Sequence, residues 1–254
     1  MKNKLTVIII AKNEEKNIGD CLDSLSWADE IVLVDDYSDD NTEKIIKSKN
    51  HKNKIKVFKK KMDKGFGDQK NFALKQATND WILSIDCDER VTRDLAAEIK
   101  IILSDSCFDA YYIERESYYC GYRIKFSGWQ NDFVLRLFKK EKAKFSDRLV
   151  HEKVIHDNLE TTVLKSKLIH KSFDTHEQVL RKINLYSTLS SLEMYKNKKT
   201  VNFFMIFLKT FSSFFKTFVV KLGFLDGKAG FMLAISNAEG VYYKYLKLFF
   251  LNRK

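Results

Sequence analysis

Within its first 85 residues the chain carries four short apolar runs separated by three segments of helical periodicity, and few folds accommodate that alternation. The runs at 5–10, 30–34, 55–58 and 81–85 are read as strands; the first, LTVIII, is the β-branched run of a strand covered on both faces. Between the first two, residues 14–26 put Ile18, Cys21, Leu22 and Leu25 at i, i+3, i+4, i+7 spacing, which predicts a helix. Further helices are expected over 41–47 and 68–77, the latter preceded by Gly65-Phe66-Gly67. The order β-α-β-α-β-α-β predicts an α/β fold built on an open, mostly parallel, Rossmann-like sheet. Such sheets bind ligands beyond the carboxyl ends of their strands. Asp35-Asp36 and Asp86-Cys87-Asp88 each follow a predicted strand, so both acidic clusters are delivered to one edge.

Beyond residue 109 the texture changes. Tyr111, Ile113, Val134, Leu135, Leu137, Phe138, Val163 and Leu164 suggest short antiparallel strands, with Lys139-Lys140-Glu141-Lys142 as a turn. Helical stretches follow over 175–195 and 201–222. The expected organisation is an α/β domain over 1–170 and a helical, amphipathic extension over 171–254. The first divides into parts of about 1–105 and about 106–170. Four cysteines with no CxxC pair fit a chain kept reduced in the cytoplasm. The N-terminal apolar run is followed by Lys12-Asn13-Glu14-Glu15 in place of a small-residue cleavage site, so it reads as a buried strand and not a signal peptide. A net charge of +11 asks for an anionic partner. Nucleic acid is not expected, because no helix-turn-helix, zinc-finger spacing or RNP-type strand is visible.

Two aspartates one residue apart after an apolar strand suit a particular chemistry. Transfer of a sugar or phosphate must neutralise a diphosphate leaving group, and Mg²⁺ or Mn²⁺ held by one or two carboxylates does so without a full protein cage. Asp pairs at strand ends also cap turns, so the pair alone is weak. Three segments in order strengthen it. Residues 5–11 with Asn13-Glu14, then Val34-Asp35-Asp36-Tyr37-Ser38-Asp39-Asp40-Asn41-Thr42, then Ile85-Asp86-Cys87-Asp88 resemble family 2 glycosyltransferases of the GT-A fold. The resemblance implies an inverting transferase using a nucleotide sugar and a divalent metal, with a catalytic domain over 1–170 made of a nucleotide-sugar half, about 1–105, and an acceptor half, about 106–170. By resemblance Ala11, Glu14, Asp35 and Asp36 hold the nucleobase and ribose, the aspartates accepting a uracil N3 proton. Gly67, Gln69, Lys70 and Asn71 lie where the family closes over the base and diphosphate. Asp86 is expected on the ribose or the metal, Asp88 on the metal. A closer resemblance, carried by Trp129, Arg136-Leu137-Phe138, Phe145, Val150-His151-Glu152 and Gly223-Phe224-Leu225-Asp226-Gly227, is to bacterial lipopolysaccharide inner-core β-1,4-glucosyltransferases. It implies glucose from UDP-glucose added to a core heptose on a lipid-linked saccharide, with Trp129 and Arg136 among the substrate contacts. Other acceptors (a polyprenyl phosphate, a capsule glycan, a peptide) and a non-catalytic nucleotide-sugar-binding module are the alternatives.

Inversion in one displacement requires a group that takes the acceptor hydroxyl's proton. Glu152, beside His151, is the first candidate and Asp132 the second; His151 is read as a metal or diphosphate ligand, and Arg136 and Arg148 as partners for phosphates. Residues 201–222 hold seven phenylalanines in 22 positions, with Asn202, Lys209, Ser213 and Lys216 on one side of a helical wheel. Two interior lysines argue against a membrane span. A broad apolar face with a basic stripe predicts a helix lying in a membrane interface, the tail Tyr242-Tyr243-Lys244-Tyr245-Leu246-Lys247 repeating the theme. The expected location is therefore cytoplasmic and peripheral, on the inner face of the cytoplasmic membrane.

Overall fold

The computed structural model describes residues 3–49, 54–146, 154–156 and 158–253. They form two compact units, residues 1–115 with 132–170 and residues 116–131 with 171–254. In the first unit the chain runs β1 (Leu5–Ala11), α1 (Ile18–Ser24), β2 (Glu30–Asp35), α2 (Thr42–Lys49), β3 (Ile55–Lys59), α3 (Phe66–Gln76), β4 (Trp81–Ser84), β5 (Glu89–Val91) and α4 (Arg93–Ser104). There follow β6 (Ala110–Tyr119), β7 (Tyr122–Arg123), β8 (Phe133–Lys139), β9 (Ala143–Phe145), β10 (Val154–His156), β11 (Thr161–Val163) and β12 (Leu168–Phe173). β6 and β12 run on into the second unit, which holds β7 together with α5 (His176–Lys196), α6 (Phe203–Phe215) and α7 (Gly227–Leu251).

The strand order β3-β2-β1-β4-β8-β6 explains why the acidic clusters meet. β1 pairs in parallel with β2 on one side and β4 on the other, so the chain reverses its direction of build at β1. This is a topological switch point, where the carboxyl ends open a crevice. The registers place Ala11 opposite Asp35 and Ile8 opposite Ser84, aligning the three carboxyl ends. Both faces are covered. Leu5, Val7 and Ile9 pack with Ile18, Leu22 and Ile46 and with Leu95 and Ile99 of α4, whereas Ile8, Val32 and Val34 pack with Ala73 and Leu74 of α3. Double coverage is why β1 and β2 read as continuous apolar runs.

Three elements differ from expectation. α1 begins at Ile18 and not 14, because residues 14–17 form a turn in which the Glu14 and Glu15 amides donate to Thr42 and Asp40. α4 escaped the reading, although Thr92 caps it by accepting from the Leu95 amide and Leu95, Ala96, Ile99 and Leu103 form its buried stripe. Residues 116–131, expected inside the catalytic domain, fold with the C-terminal helices. The reason is Asp226. Its carboxylate accepts from the amides of Lys125 (2.9 Å) and Phe126 (3.0 Å) and from Ser127 Oγ (2.7 Å). In the same segment Gly223 and Gly230 approach so closely that a Cβ on Gly230 would lie 1.9 Å from the Gly223 carbonyl oxygen. The Gly223–Gly227 motif is thus architectural. Asp226→Ala is expected to cost about 3 kcal/mol by orphaning these donors. A thermal melt checks it: the midpoint should fall by about 6–12 °C, with UDP affinity unchanged.

Candidate active site

The loops after β1 and β2 are stitched together, and the stitching uses the Val34–Thr42 motif position by position. Asp35, almost fully buried, accepts from Ser38 Oγ (2.5 Å) and the Ser38 amide (3.1 Å). Ser38 Oγ in turn accepts from the Asn13 amide at 2.9 Å, and Thr42 Oγ1 from the Glu14 amide at 2.8 Å. Asp40 takes the amides of Thr42 and Glu15. The Asp36 amide donates to the Ala11 carbonyl at 2.8 Å, and its carboxylate accepts from Lys12 Nζ (2.7 Å) and the Met62 amide (3.0 Å). Burial works against the charged form of Asp36, but the Lys12 and Met62 hydrogen bonds outweigh it and hold the carboxyl below its usual range. Burial pushes the half-buried Glu14 the other way; its hydrogen bond from Asn17 opposes this and the charges of Asp88 and Asp40 add to it. Asp35 therefore closes its own turn, while Asp36 has an exposed partner in Lys12.

At the end of β4 the alternation of the backbone turns Cys87 into the core, where its thiol donates to the Ile10 carbonyl at 3.3 Å. Burial pushes that thiol well up, so it stays neutral. Asp86 and Asp88 meet different partners. Asp86 Oδ1 accepts from Lys70 Nζ at 2.8 Å and Oδ2 from the Arg136 guanidinium, which also bonds Glu89 Oε1. Glu89 Oε2 accepts from the Asp86 amide at 3.0 Å. Burial disfavours the Asp86 carboxylate, yet Arg136 and Lys70 outweigh it and hold its carboxyl far below normal. For fully buried Glu89 burial prevails over Arg136, and its carboxyl is pushed up. Arg136 itself is driven further into its charged form by the two carboxylates, against burial. Arg115 extends the network: it pairs with Asp132 at 2.7 Å and lies 3.6 Å from Glu89.

Asp88 faces His170, Nε2 to Oδ2 being 3.3 Å. The approach follows from β12 pairing antiparallel with β5, which sets His170 opposite Glu89. A nitrogen and a carboxylate oxygen about 3 Å apart can occupy adjacent positions of an octahedral Mg²⁺ or Mn²⁺ ion. Among the described residues no group of three His, Cys, Asp or Glu side chains gathers as a complete metal site. Asp88 and His170 fit the protein's share where diphosphate oxygens and water complete the shell.

The sequence-predicted residues separate accordingly. Ala11, Glu14, Asp35, Asp36, Asp86 and Asp88 come together at the strand ends, and Arg136 and Asp132 join them through the ion network. Lys70, expected on the diphosphate, is buried against Asp86. Gln69 holds the Lys60 carbonyl, and Asn71 bonds the Phe145 backbone in both directions at 2.9 Å. These two, expected to close over the base, pin neighbouring segments instead, and Gly67 is buried in the first turn of α3. Trp129 lies in the second unit, edge-on to Tyr119 at 6.3 Å, lining a mostly apolar cavity of about 400 Å³ with Phe173, Lys182, Gly240 and Lys244. Arg148, His151 and Glu152 lie outside the described residues. Glu89, Arg115 and His170 were missed: each is ordinary in sequence and acquires a role only through pairings between β5, β6, β8 and β12.

Known proteins resemble this chain over most of its length. The chain is 28% identical to an uncharacterized glycosyltransferase of Rickettsia typhi, over 96% of this chain and 86% of that one. It is 27% identical to the lipopolysaccharide core biosynthesis glycosyltransferase LpsC of Rhizobium meliloti, over 98% and 93%. With the glycosyltransferase SunS of Bacillus subtilis it shares 29% identity over 79% of this chain, spanning about half (48%) of SunS. Among solved structures, S. aureus TarS 1–349 in complex with UDP-GlcNAc superposes with a TM-score of 0.51 at 16% identity, over 98% of this chain and 89% of that one. The longer TarS chain is spanned over 45% of its length. The mannosyltransferase PcManGT of Pyrobaculum calidifontis, in complex with GDP-Man and Mn²⁺, gives 0.53 at 16% identity, over 95% and 74%. These likenesses show the GT-A fold. The model of glycosyl transferase family 2 matches residues 6–159, and the chain belongs to that family: it is a glycosyltransferase.

Proposed function

We propose that the protein transfers glucose from UDP-glucose, with inversion and with the help of a divalent metal, to a heptose of a lipopolysaccharide core. The observation that carries the donor half is the meeting of the stitched β1–β2 loops with Asp88–His170 at one sheet edge. Asp36 Oδ2, now paired with exposed Lys12, is the acceptor offered to a uracil N3–H. Asp88 and His170 would hold Mg²⁺ or Mn²⁺; the metal would draw charge from the departing diphosphate. Asp86, fixed by Lys70 and Arg136, would serve the ribose or the metal. The acceptor oxygen attacks the anomeric carbon, the bond from that carbon to the diphosphate oxygen breaks, and UDP leaves with the electron pair. The acceptor's proton passes to a carboxylate. Asp132 and Glu152 are the candidates, and Asp132 has one oxygen held by Arg115. TarS and PcManGT, caught with nucleotide sugars, and LpsC, named for lipopolysaccharide core synthesis, support the donor and acceptor classes.

The base is decided by two variants. Asp132→Asn and Glu152→Gln are each compared with wild type in turnover with acceptor, and the base variant should lose about 10²–10⁴-fold in kcat with UDP affinity kept. Full turnover by both would remove both assignments. The acceptor is tested with core oligosaccharide carrying or lacking the heptose; transfer to neither would leave the donor chemistry standing and overturn the acceptor.

A further inference from the structure

We infer that α6 docks flat on an anionic lipid bilayer, its phenylalanine face among the acyl chains and its lysines among the headgroups. The inference rests on the second unit alone and does not depend on the donor or acceptor proposed above. α6 and the wider π-type turn that continues it over Lys216–Val220 have three distinct faces.

Toward α7 the helix turns Ile206, Thr210, Ser213 and Thr217, a stripe at spacings that keep one side of a helix together. Ile206 is 1% exposed and Thr217 5%. Ser213 Oγ donates to the Asn237 carbonyl, and Asn237 Nδ2 donates to Thr217 Oγ1, both at 3.3 Å. α7 answers with Leu248 and Tyr245 around Ile206 and with Phe231, edge-on to Phe214 at 5.8 Å and to Phe218 at 5.7 Å. The second face carries Phe203, Phe204, Phe207, Leu208, Phe211 and Phe215, all exposed, with Phe204 and Phe211 at 68% each. The third carries Lys209, Ser212 and Lys216, exposed as well. Val219, Val220, Leu222, Phe224 and Leu225 prolong the apolar surface past the helix end.

A soluble helix buries its large apolar side chains and exposes polar ones, whereas α6 leaves Phe203, Phe204, Phe207, Leu208, Phe211 and Phe215 in the open. Thr210, Ser213 and Thr217 lie with Ile206 on the covered side, and most of the phenylalanines of α6 lie outside it. Lipid accommodates such a face, because hydrocarbon costs a phenylalanine nothing. The exposed run far exceeds the scattered apolar residues of an ordinary surface.

The lysines choose the occupant. They sit beside the aromatic face and not within it, so their stems can follow the apolar surface while their ammonium groups reach lipid phosphates. The +11 net charge of the chain adds attraction at longer range. Phe203–Val220 is long and apolar enough by length and composition to cross a membrane, with a mean hydropathy of 1.5. A crossing would carry Lys209 and Lys216 into hydrocarbon, whereas a flat orientation leaves both at the headgroups and keeps the α7-facing stripe covered.

The test floats the full-length protein on a density gradient with phosphatidylcholine vesicles containing about one third phosphatidylglycerol, and with phosphatidylcholine alone. Wild type should rise with the anionic vesicles and far less with the neutral ones. Lys209→Glu with Lys216→Glu should weaken partitioning by at least about tenfold, from roughly fivefold per lysine lost. Phe207→Ser with Phe211→Ser should abolish flotation while the thermal midpoint and UDP binding stay as in wild type. A further variant, Phe211→Trp, should show blue-shifted emission relative to its parent on anionic vesicles only. Wild type left in the dense fraction, or no emission shift, would overturn the inference. So would a lipid-free dimer that the Phe207→Ser, Phe211→Ser variant dissociates, which would assign this face to a second copy of the chain.

Discussion

Arg136→Ala is expected to cost about 3–5 kcal/mol of folding stability, lowering the thermal midpoint by about 6–20 °C. Arg136 is buried and bonds two carboxylates at once, Asp86 and Glu89. Without it, two acidic groups remain side by side in the interior with Lys70 on one of them. Removing one member of a buried charge cluster costs far more than the cluster contributes, because the orphaned charges stay desolvated. Arg136→Lys should recover only part of the loss, since a single ammonium cannot supply the planar fork that meets two carboxylates. Turnover should fall with stability in both variants, because Asp86 is aimed by the same guanidinium. A melt indistinguishable from wild type would show that the cluster does not hold the strand ends.

Asp88→Ala is expected to behave in the opposite way, losing metal-dependent turnover by about 10²–10⁴-fold with little change in melting temperature. Its side chain is one-third exposed and its oxygen lies 3.3 Å from His170 Nε2, so its loss opens no cavity and strands no buried charge. His170→Ala should lower the same quantity, and the double variant should be no worse than the more severe single one if the two act as a unit. Manganese titrations of turnover, with calorimetry of Mn²⁺ in the presence of UDP, separate metal affinity from chemistry. Additive losses would mean that aspartate and histidine serve different steps.

The contrast between these residues explains how far the sequence could be read. The doubly covered strands β1, β2 and β4 announce themselves as apolar runs, and the rule that ligands gather at carboxyl ends places Asp35, Asp36, Asp86 and Asp88 on one edge. What spacing does not reveal is which carboxylates are structural. Asp35 and Asp40 sit inside the same motif as Asp36 and spend their oxygens on backbone amides and hydroxyls of the two loops. Asn71 likewise looks like a ligand residue and is a backbone clamp for β9. His170 was invisible for the opposite reason: its sequence context, Leu168-Ile169-His170-Lys171, is that of an ordinary strand, and only its antiparallel pairing with β5 brings it to Asp88. In the C-terminal region the aromatic composition points to a membrane surface, but it does not show which side of α6 is covered by α7, and so which phenylalanines stay outside.

The central claim, a metal-dependent transferase drawing on a UDP-sugar, is tested most directly by UDP release from purified protein over a panel of UDP-sugars, with Mn²⁺ or Mg²⁺ and then with a chelator. The account predicts slow hydrolysis of one sugar nucleotide, UDP-glucose first, that disappears on chelation and returns with metal. Hydrolysis that persists without metal would contradict the Asp88–His170 assignment, and no binding of UDP in the same samples would contradict the nucleotide site itself.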